Sequence, residues 1–520
     1  MALSPRGISA QPFGVLLPAL RRPDRTTLKA AALAIGLTAF SSLLVVVGGA
    51  WIRLVLALAV AMLLVTLALM RPALGVITTF IYLVFSAMLR RMLLGAAPWI
   101  SADPMLLVAP VVATVLIVNG FVLDRRRWAP DAISVGVLVI LAITCAEVFN
   151  PQGGGISAGI SGLMFMAVPL FWFFVGREYL GDVDVERLMT VVVVLGTVVA
   201  GYGLWQTQVG DPHWDVAWLK TPGASAYSSL NVNGTLRAFG TFSSFGEYAL
   251  FLGAALAVAV SFVLRGKLVA ALPIPVLAVA LFLSSGRAPL ITAAFAIVTM
   301  VGLRTGRPAT ALVVTVAAIG AVFLAVHFGG SSLSSLGSGS SSSLVSHEVS
   351  GIANPLDPSS STLLTHVTLV VQGVKSSLSH PFGQGTAVTN GAAGVIQGGA
   401  TRNNGLGNVP AVGAGSSATE VDISNAFVAF GIAGGVIYLA LVVLIAVQAV
   451  RSYFAGRREL LPVIAVLVVG AGQWTIGGDY ALSSLIWMLI GVVAARARLV
   501  SAAARPSRPA WQHPTQGGSA

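Results

Sequence analysis

The sequence predicts an all-α fold, a polytopic membrane protein with about 14 transmembrane helices and a large extracytoplasmic loop cap. Hydrophobic residue types make up 56% of the 520 residues and charged types only 9%, whereas a soluble globular chain carries about 25% charged residues. Apolar runs recur along the chain at about the 20-residue length that crosses a bilayer. A transmembrane β-barrel would instead show alternating segments of about ten residues. These observations exclude a soluble enzyme and a mainly disordered chain.

The apolar runs define the predicted spans. Most of the 30 Lys and Arg residues fall in loops on one side of them, and basic loops mark the cytoplasmic side. Both termini are therefore predicted to be cytoplasmic. The net charge of +12 would suggest a nucleic-acid partner in a soluble protein, but the positions of the basic residues in loops matter more here, and no such partner is expected. In chain order the predicted spans are 30–50, 54–70, 73–88, 105–123, 133–149, 158–175, 188–205, 248–264, 268–283, 289–303, 311–328, 426–450, 461–475 and 481–495.

Two outer loops are long enough to form a cap. The first is 207–242, and the second, 329–425, begins with a Ser/Gly tract at 331–343 that is typical of a flexible linker. Apolar residues at helical spacing in 359–380 then predict an amphipathic helix on the membrane face. The predicted parts are a cytoplasmic segment 1–29, spans in 30–328, the large loop 329–425, spans in 426–495 and a disordered cytoplasmic tail 496–520.

Arg287 is the first candidate functional residue. It follows Ser284, Ser285 and Gly286 in the tight turn between two apolar runs, and Pro289 comes soon after. A charge at the edge of the bilayer is costly and is often functional. The alternative is an arginine whose side chain extends to the lipid headgroups.

Arg237 lies on the same predicted side, just before another span. Alone, it could be an interface arginine paired with Glu247 or with a lipid phosphate. Two arginines facing one side make sense together, because the guanidinium fork binds phosphate oxygens with two hydrogen bonds and does not lose its charge. The pair predicts a clamp for a diphosphate-linked lipid.

Four short motifs carry a resemblance to a known family over roughly residues 230–440. Arg237-Ala-Phe-Gly-Thr-Phe, Ser284-Ser-Gly-Arg, His380-Pro-Phe-Gly-Gln-Gly and Gly431-Ile-Ala-Gly occur in this order. Together they resemble, in order and spacing, the motifs of the O-antigen ligase and polymerase family.

The resemblance implies a glycosyltransferase in the plasma (inner) membrane of a bacterium. Its donor would be an undecaprenyl-diphosphate-linked glycan, surrounded by membrane lipids, with a chain-length regulator as a candidate partner. No metal and no cofactor are implied. Arg237 and Arg287 would bind the donor diphosphate and stabilise its departure, while His380 and Arg402 are further candidates for substrate binding.

One departure from the family's pattern concerns the residue that distinguishes its ligases. The ligases carry a His, followed by Asn, Ser or Gln, ahead of Gly-x-x-Gly, and the corresponding residues here are Glu420 and Val421. Glu420, Asp422 or His366 could instead take the proton of an acceptor hydroxyl, although the two acids could also be ordinary solvated residues at a helix start.

The absent histidine favours a glycan polymerase of the O-antigen or exopolysaccharide type. A ligase that transfers glycan to a lipid or protein is the first alternative. A polysaccharide transporter or flippase is the second, and it is disfavoured because the predicted spans are nearly uncharged.

Overall fold

The protein is an all-α polytopic membrane protein. The computed structural model describes residues 51–100, 103–124, 130–221, 231–232, 235–306, 341–354, 363–389, 401–403, 408–410, 421–474 and 480–503. Within these residues, ten helical segments are long and apolar enough to cross a membrane. They are Trp51–Met70, Pro72–Gly95, Pro104–Leu123, Ala132–Phe149, Ile156–Tyr179, Asp182–Gln208, Phe245–Leu264, Arg287–Thr305, Asp422–Phe454 and Tyr480–Val500.

The α-helices are numbered here in chain order, without the short 3-10 and π segments that extend some of them. They are α1 (Trp51–Met70), α2 (Pro72–Met92), α3 (Val108–Val118), α4 (Ala132–Ala146), α5 (Ile156–Tyr179), α6 (Asp182–Gln208), α7 (His213–Leu219), α8 (Phe245–Leu264), α9 (Ile274–Leu283), α10 (Arg287–Thr305), α11 (Ser341–Ala353), α12 (Leu363–Ser379), α13 (Asp422–Phe454), α14 (Leu461–Val469) and α15 (Tyr480–Ala503). Two antiparallel hairpins add β1 (Asn231–Val232) with β2 (Thr235–Leu236), and β3 (Thr401–Asn403) with β4 (Asn408–Pro410).

Four of the predicted spans differ from the rest. Those at 30–50 and 311–328 lie outside the described residues. The run 268–283 contains Pro273 and forms a helical turn followed by the ten-residue helix α9. The run 461–475 forms the nine-residue helix α14, which ends in a turn at Gly470. Helix α14 packs inside the bundle, with Val466 fully buried, whereas α9 buries one face at Leu277 and exposes Val276 and Val279 on another.

Helices α8 and α15 form the centre of the bundle. Both are buried along most of their length, and their residues belong to one continuous apolar core. Helix α5 packs along α15, and α8 packs against α6, α10 and α14. By contrast, α1 exposes large apolar side chains such as Leu63 and Val55, as expected of a helix that faces lipid.

The basic loops meet at one end of the bundle, which we call the basic end. Arg265 and Lys267 pair with Glu186, while Arg457 and Arg496 pair with Asp182. All these residues lie in or beside loops predicted to be cytoplasmic. The opposite end, where α10 begins, is called the loop end.

Helix α12 lies at the loop end, along the first part of α13. The Ser424 hydroxyl of α13 donates a hydrogen bond to the Leu369 carbonyl (2.8 Å). A row of apolar side chains on α12 remains exposed, including Val367, Val371 and Leu378. The segment predicted to be amphipathic therefore forms a helix with one packed face and one exposed apolar face.

Candidate functional site

Arg287 is positioned by the turn between α9 and α10. Ser285, in this turn, has φ 55°, a left-handed conformation that is costly for a residue with a side chain. The hydroxyl of Ser285 lies 2.9 Å from Nδ1 of His347. The turn thus directs Arg287, the first residue of α10, towards α11.

The Arg287 guanidinium contacts helix α11 directly. Nη2 donates a hydrogen bond to the His347 carbonyl (2.6 Å), and Nε lies 3.9 Å from Oε2 of Glu348. The guanidinium also lies against Gly351, where an added Cβ would come within 1.9 Å of Cζ. The alternative of an arginine that extends to lipid headgroups is therefore wrong, because Arg287 binds another part of the protein.

Arg237 reaches the same place from the first outer loop. It follows β2, which packs against α11, and its guanidinium stacks over the ring of Phe245 at 4.3 Å. Its positive charge lowers the pKa of both His347 and Glu348, as does that of Arg287. The two arginines identified from the sequence therefore meet around one helical turn of α11.

The groups between the two arginines have shifted pKa values. Burial raises the pKa of Glu348 to about 7, although the arginines act in the opposite direction. Burial, followed by the charges of Arg287 and Arg237, lowers the pKa of His347 to about 4. At neutral pH His347 is uncharged, and Glu348 is divided between its two protonation states.

A buried ionic cluster fixes the loop that carries Arg237. The Arg91 guanidinium pairs with Asp215 (2.6 Å) and donates hydrogen bonds to the carbonyls of Gly240 (2.7 Å) and Phe242. The Gln206 side chain accepts a hydrogen bond from the Gly240 amide (2.8 Å). Removal of one partner from a buried ion pair costs about 3–5 kcal/mol of folding free energy. The cluster therefore holds the backbone just after Arg237 in place.

Glu247 connects the site to the last helix. Its carboxylate accepts hydrogen bonds from the amides of Ala481 (2.7 Å) and Leu482 (3.2 Å), at the start of α15. A carboxylate is stabilised at a helix N-terminus by the free N–H groups and the helix dipole. The start of α8, which follows the Arg237 loop, is therefore joined to the start of α15.

The motif 380–385 packs against a break in α13. Gly431 interrupts the helix with φ 70° and ψ −170°. The amides of Gln384 and Gly385 donate hydrogen bonds to the carbonyls of Val428 (3.0 Å) and Ala429 (3.2 Å). A Cβ on Gly431 would come within 2.1 Å of the Pro381 carbonyl oxygen. Gly431 thus allows the backbone of the segment 380–385 to lie directly against the backbone of α13.

His380 and His366 both lie on or beside α12. His380, just after the helix, places Nδ1 3.1 Å from the side-chain nitrogen Nε2 of Gln384 and 3.3 Å from the Ser376 carbonyl oxygen. His366 is half-buried, and burial lowers its pKa.

Asp422 is the first residue of α13 and is fully buried. It accepts a hydrogen bond from the Tyr438 hydroxyl (3.2 Å), so the alternative that it is an ordinary solvated acid is wrong. Glu420 lies outside the described residues. Arg402 lies in β3, and its side chain is likewise outside the description.

Sequence reasoning missed His347 and Glu348. The Ser/Gly tract was predicted to be a flexible linker through residue 343, whereas α11 begins at Ser341. A signal was present, because Val345, Val349 and Ile352 follow helical spacing and pack against Phe282 and Leu283 of α9.

Comparisons with protein-family models, with curated proteins and with solved structures find no match to this chain. Among the residues that the structure describes, no group of three or more His, Cys, Asp and Glu side chains could hold a metal ion.

Proposed function

We propose that the protein is a glycan polymerase in a bacterial plasma membrane. It would transfer an oligosaccharide from an undecaprenyl-diphosphate donor to the hydroxyl of an acceptor sugar at the outer face. The observation that carries the proposal is the convergence of Arg237 and Arg287 on His347 and Glu348 at the loop end of the bundle.

The two guanidinium groups suit a diphosphate leaving group. As the bond to the anomeric carbon breaks, negative charge accumulates on the departing diphosphate, and fixed positive groups at that position lower the barrier. Arginine is the appropriate residue, because its planar fork binds two phosphate oxygens at once and stays charged when partly buried. The turn at Ser285 and the cluster around Arg91 fix the two groups in advance.

Polymerase is favoured over ligase by the residue at position 420. In the resemblance, position 420 corresponds to the histidine of the ligases and is Glu here, so the acceptor would be activated by a different group. Transfer of glycan to a lipid or protein remains the alternative activity of the same site, and its product would contain one new linkage rather than a series of repeats.

The test is Arg287→Lys, with Arg304→Lys as the matched control. Both residues lie on α10, and Arg304 is exposed at its basic end. We expect Arg287→Lys to abolish the polymer ladder on gels of cell extracts, because lysine keeps the charge but not the fork. Arg304→Lys should give the normal ladder, and both proteins should be present in the membrane at equal amounts.

Two results would overturn the proposal. One is a ladder of normal length and yield from Arg287→Lys. The other is a purified wild-type protein whose thermal unfolding does not shift when undecaprenyl diphosphate is added, since a ligand of the native state must stabilise it.

A further inference from the structure

We infer that Glu348 is the general base of this site and accepts the proton of the attacking acceptor hydroxyl. The inference builds on the proposed function, because it assigns a role within that transfer reaction. It concerns a residue on α11 that the motif resemblance does not include.

The first support is geometric. Glu348 is fully buried, and among the residues that the structure describes none donates a hydrogen bond to either carboxylate oxygen. Its closest basic atom is Nε of Arg287, at 3.9 Å. A buried carboxylate normally accepts hydrogen bonds. The Glu348 carboxylate lies beside two arginines and accepts none from the described residues, so it can accept one from the hydroxyl of a bound acceptor.

The second support is electrostatic. The groups facing Glu348 are Arg287 from α10, Arg237 from the segment after β2, and its neighbour His347. Phe282 and Leu283, the residues of α9 that pack against Val345 and Val349 of α11, are apolar. Burial raises the pKa of Glu348 to about 7, and the positive charges of Arg287 and Arg237 act in the opposite direction. A base with a pKa near the working pH transfers protons efficiently.

Donor binding would strengthen this base. A diphosphate between Arg237 and Arg287 would offset the positive charges that now lower the pKa of Glu348. The proton affinity of the carboxylate would then rise when the donor is in place. The pKa of Glu348 thus depends on whether a diphosphate is bound between Arg237 and Arg287.

The reaction balances with these groups alone. The oxygen of the acceptor hydroxyl forms a bond to the anomeric carbon of the donor, and the bond between that carbon and the diphosphate oxygen breaks. The bonding electrons leave with the diphosphate, whose charge Arg237 and Arg287 neutralise. The hydroxyl proton passes to the Glu348 carboxylate and is then released to solvent.

His347 is a weaker candidate for the same role. Its Nδ1 already contacts the Ser285 hydroxyl, and both ring nitrogens lie 3.2 Å from Nη2 of Arg287. Its pKa is lowered to about 4, so it has little affinity for a proton at neutral pH. His347 is better suited to position Arg287.

The experiment compares Glu348→Gln and Glu348→Asp with Glu186→Gln, a control at the basic end. Polymer formation is measured in membranes from the producing cells between pH 5.5 and pH 8.5, a window of about 1.5 units around the raised pKa. Binding of undecaprenyl diphosphate to each purified protein is measured by thermal shift. For the wild type, polymer formation should fall as the pH drops through about 7, because the base becomes protonated, and the fall should begin above pH 7 when the donor is bound.

We expect Glu348→Gln to lower polymer formation by about 100-fold or more, the usual contribution of a general base. It should bind undecaprenyl diphosphate at least as tightly as the wild type, because a negative charge has been removed from beside the ligand. Glu348→Asp should retain part of the activity and the fall below pH 7. Glu186→Gln should resemble the wild type in both measurements.

Normal polymer formation by Glu348→Gln would overturn the inference and leave the proposed function intact. Loss of diphosphate binding by Glu348→Gln would also overturn it, because the residue would then have a structural role. Failure of the wild type to bind undecaprenyl diphosphate would instead overturn the proposed function itself, so the two failures are distinguishable.

Discussion

The guanidinium of Arg287 occupies space that only a glycine leaves free on α11. Gly351 provides that space, and the atoms that an added Cβ would meet are Cζ, Nε and Nη1 of Arg287. These atoms form the far end of a flexible side chain. A methyl group at position 351 would therefore displace the guanidinium and leave the helix backbone in place.

Gly351→Ala is expected to separate folding from function. Alanine favours an α-helix over glycine by about 1 kcal/mol, so the thermal unfolding temperature should not fall. Binding of undecaprenyl diphosphate and the polymer ladder should both be reduced, as for Arg287→Lys. Ser346→Ala, at an exposed position of α11, is the control. If Gly351→Ala gave normal polymer, the position of Arg287 against α11 would not matter for activity.

Of the residues that meet at the site, the two arginines could be predicted from the sequence and Glu348 could not. Arg237 and Arg287 could be recognised because a charge beside an apolar run is costly and stands out. Glu348 could not, because it lies in a Ser-rich segment, and its contact with Arg287 joins residues about 60 positions apart. Such a contact is formed by tertiary packing and leaves no local pattern.

Helix α13 shows how one residue redirects an element. The Tyr438 hydroxyl reaches the Asp422 carboxylate although 16 positions separate them. In a continuous helix these residues would be about 24 Å apart, so the chain must turn sharply between them. Gly431 is the residue with non-helical angles in this interval, and the segment 380–385 fills the break.

Gly431→Ala is expected to destabilise the protein. A side chain is disfavoured in this conformation by about 1–3 kcal/mol, and its Cβ would also clash with the Pro381 carbonyl. The thermal unfolding temperature in detergent should therefore fall. Gly201→Ala, at an open position on α6, should leave it unchanged or raise it. Equal unfolding temperatures for the two variants would contradict this account of the break.

Within the described residues, the positions of the apolar helices were predicted better than their lengths. Apolar run length gives the spans that face lipid, because the bilayer thickness determines them. Helices α9 and α14 are shorter than a bilayer requires, because α9 begins only after Pro273 and α14 ends in a turn at Gly470. The break in α13 was not predicted, since a single glycine in an apolar run also occurs in unbroken membrane helices.

At the scale of the whole molecule, the predicted orientation places α11 outside the cell. Cys145 is the single cysteine of the chain, so single-cysteine variants can be made in a Cys145→Ser background. We expect Ser346→Cys to react with a membrane-impermeant maleimide in intact spheroplasts. Arg187→Cys, exposed beside the basic end, should react only after permeabilisation. The reverse pattern would show that the bundle is inserted in the opposite sense.

The hydrogen bonds between Glu247 and the start of α15 have a consequence for biosynthesis. Every residue that meets around α11 lies before Tyr480 in the chain, yet Glu247, next to the Arg237 loop, takes two amide donors from Ala481 and Leu482. A nascent chain still lacking that final segment has inserted both arginines without these donors. The loop that carries Arg237 therefore gains these two hydrogen bonds only after the ribosome has translated α15, more than 230 residues after Glu247 itself.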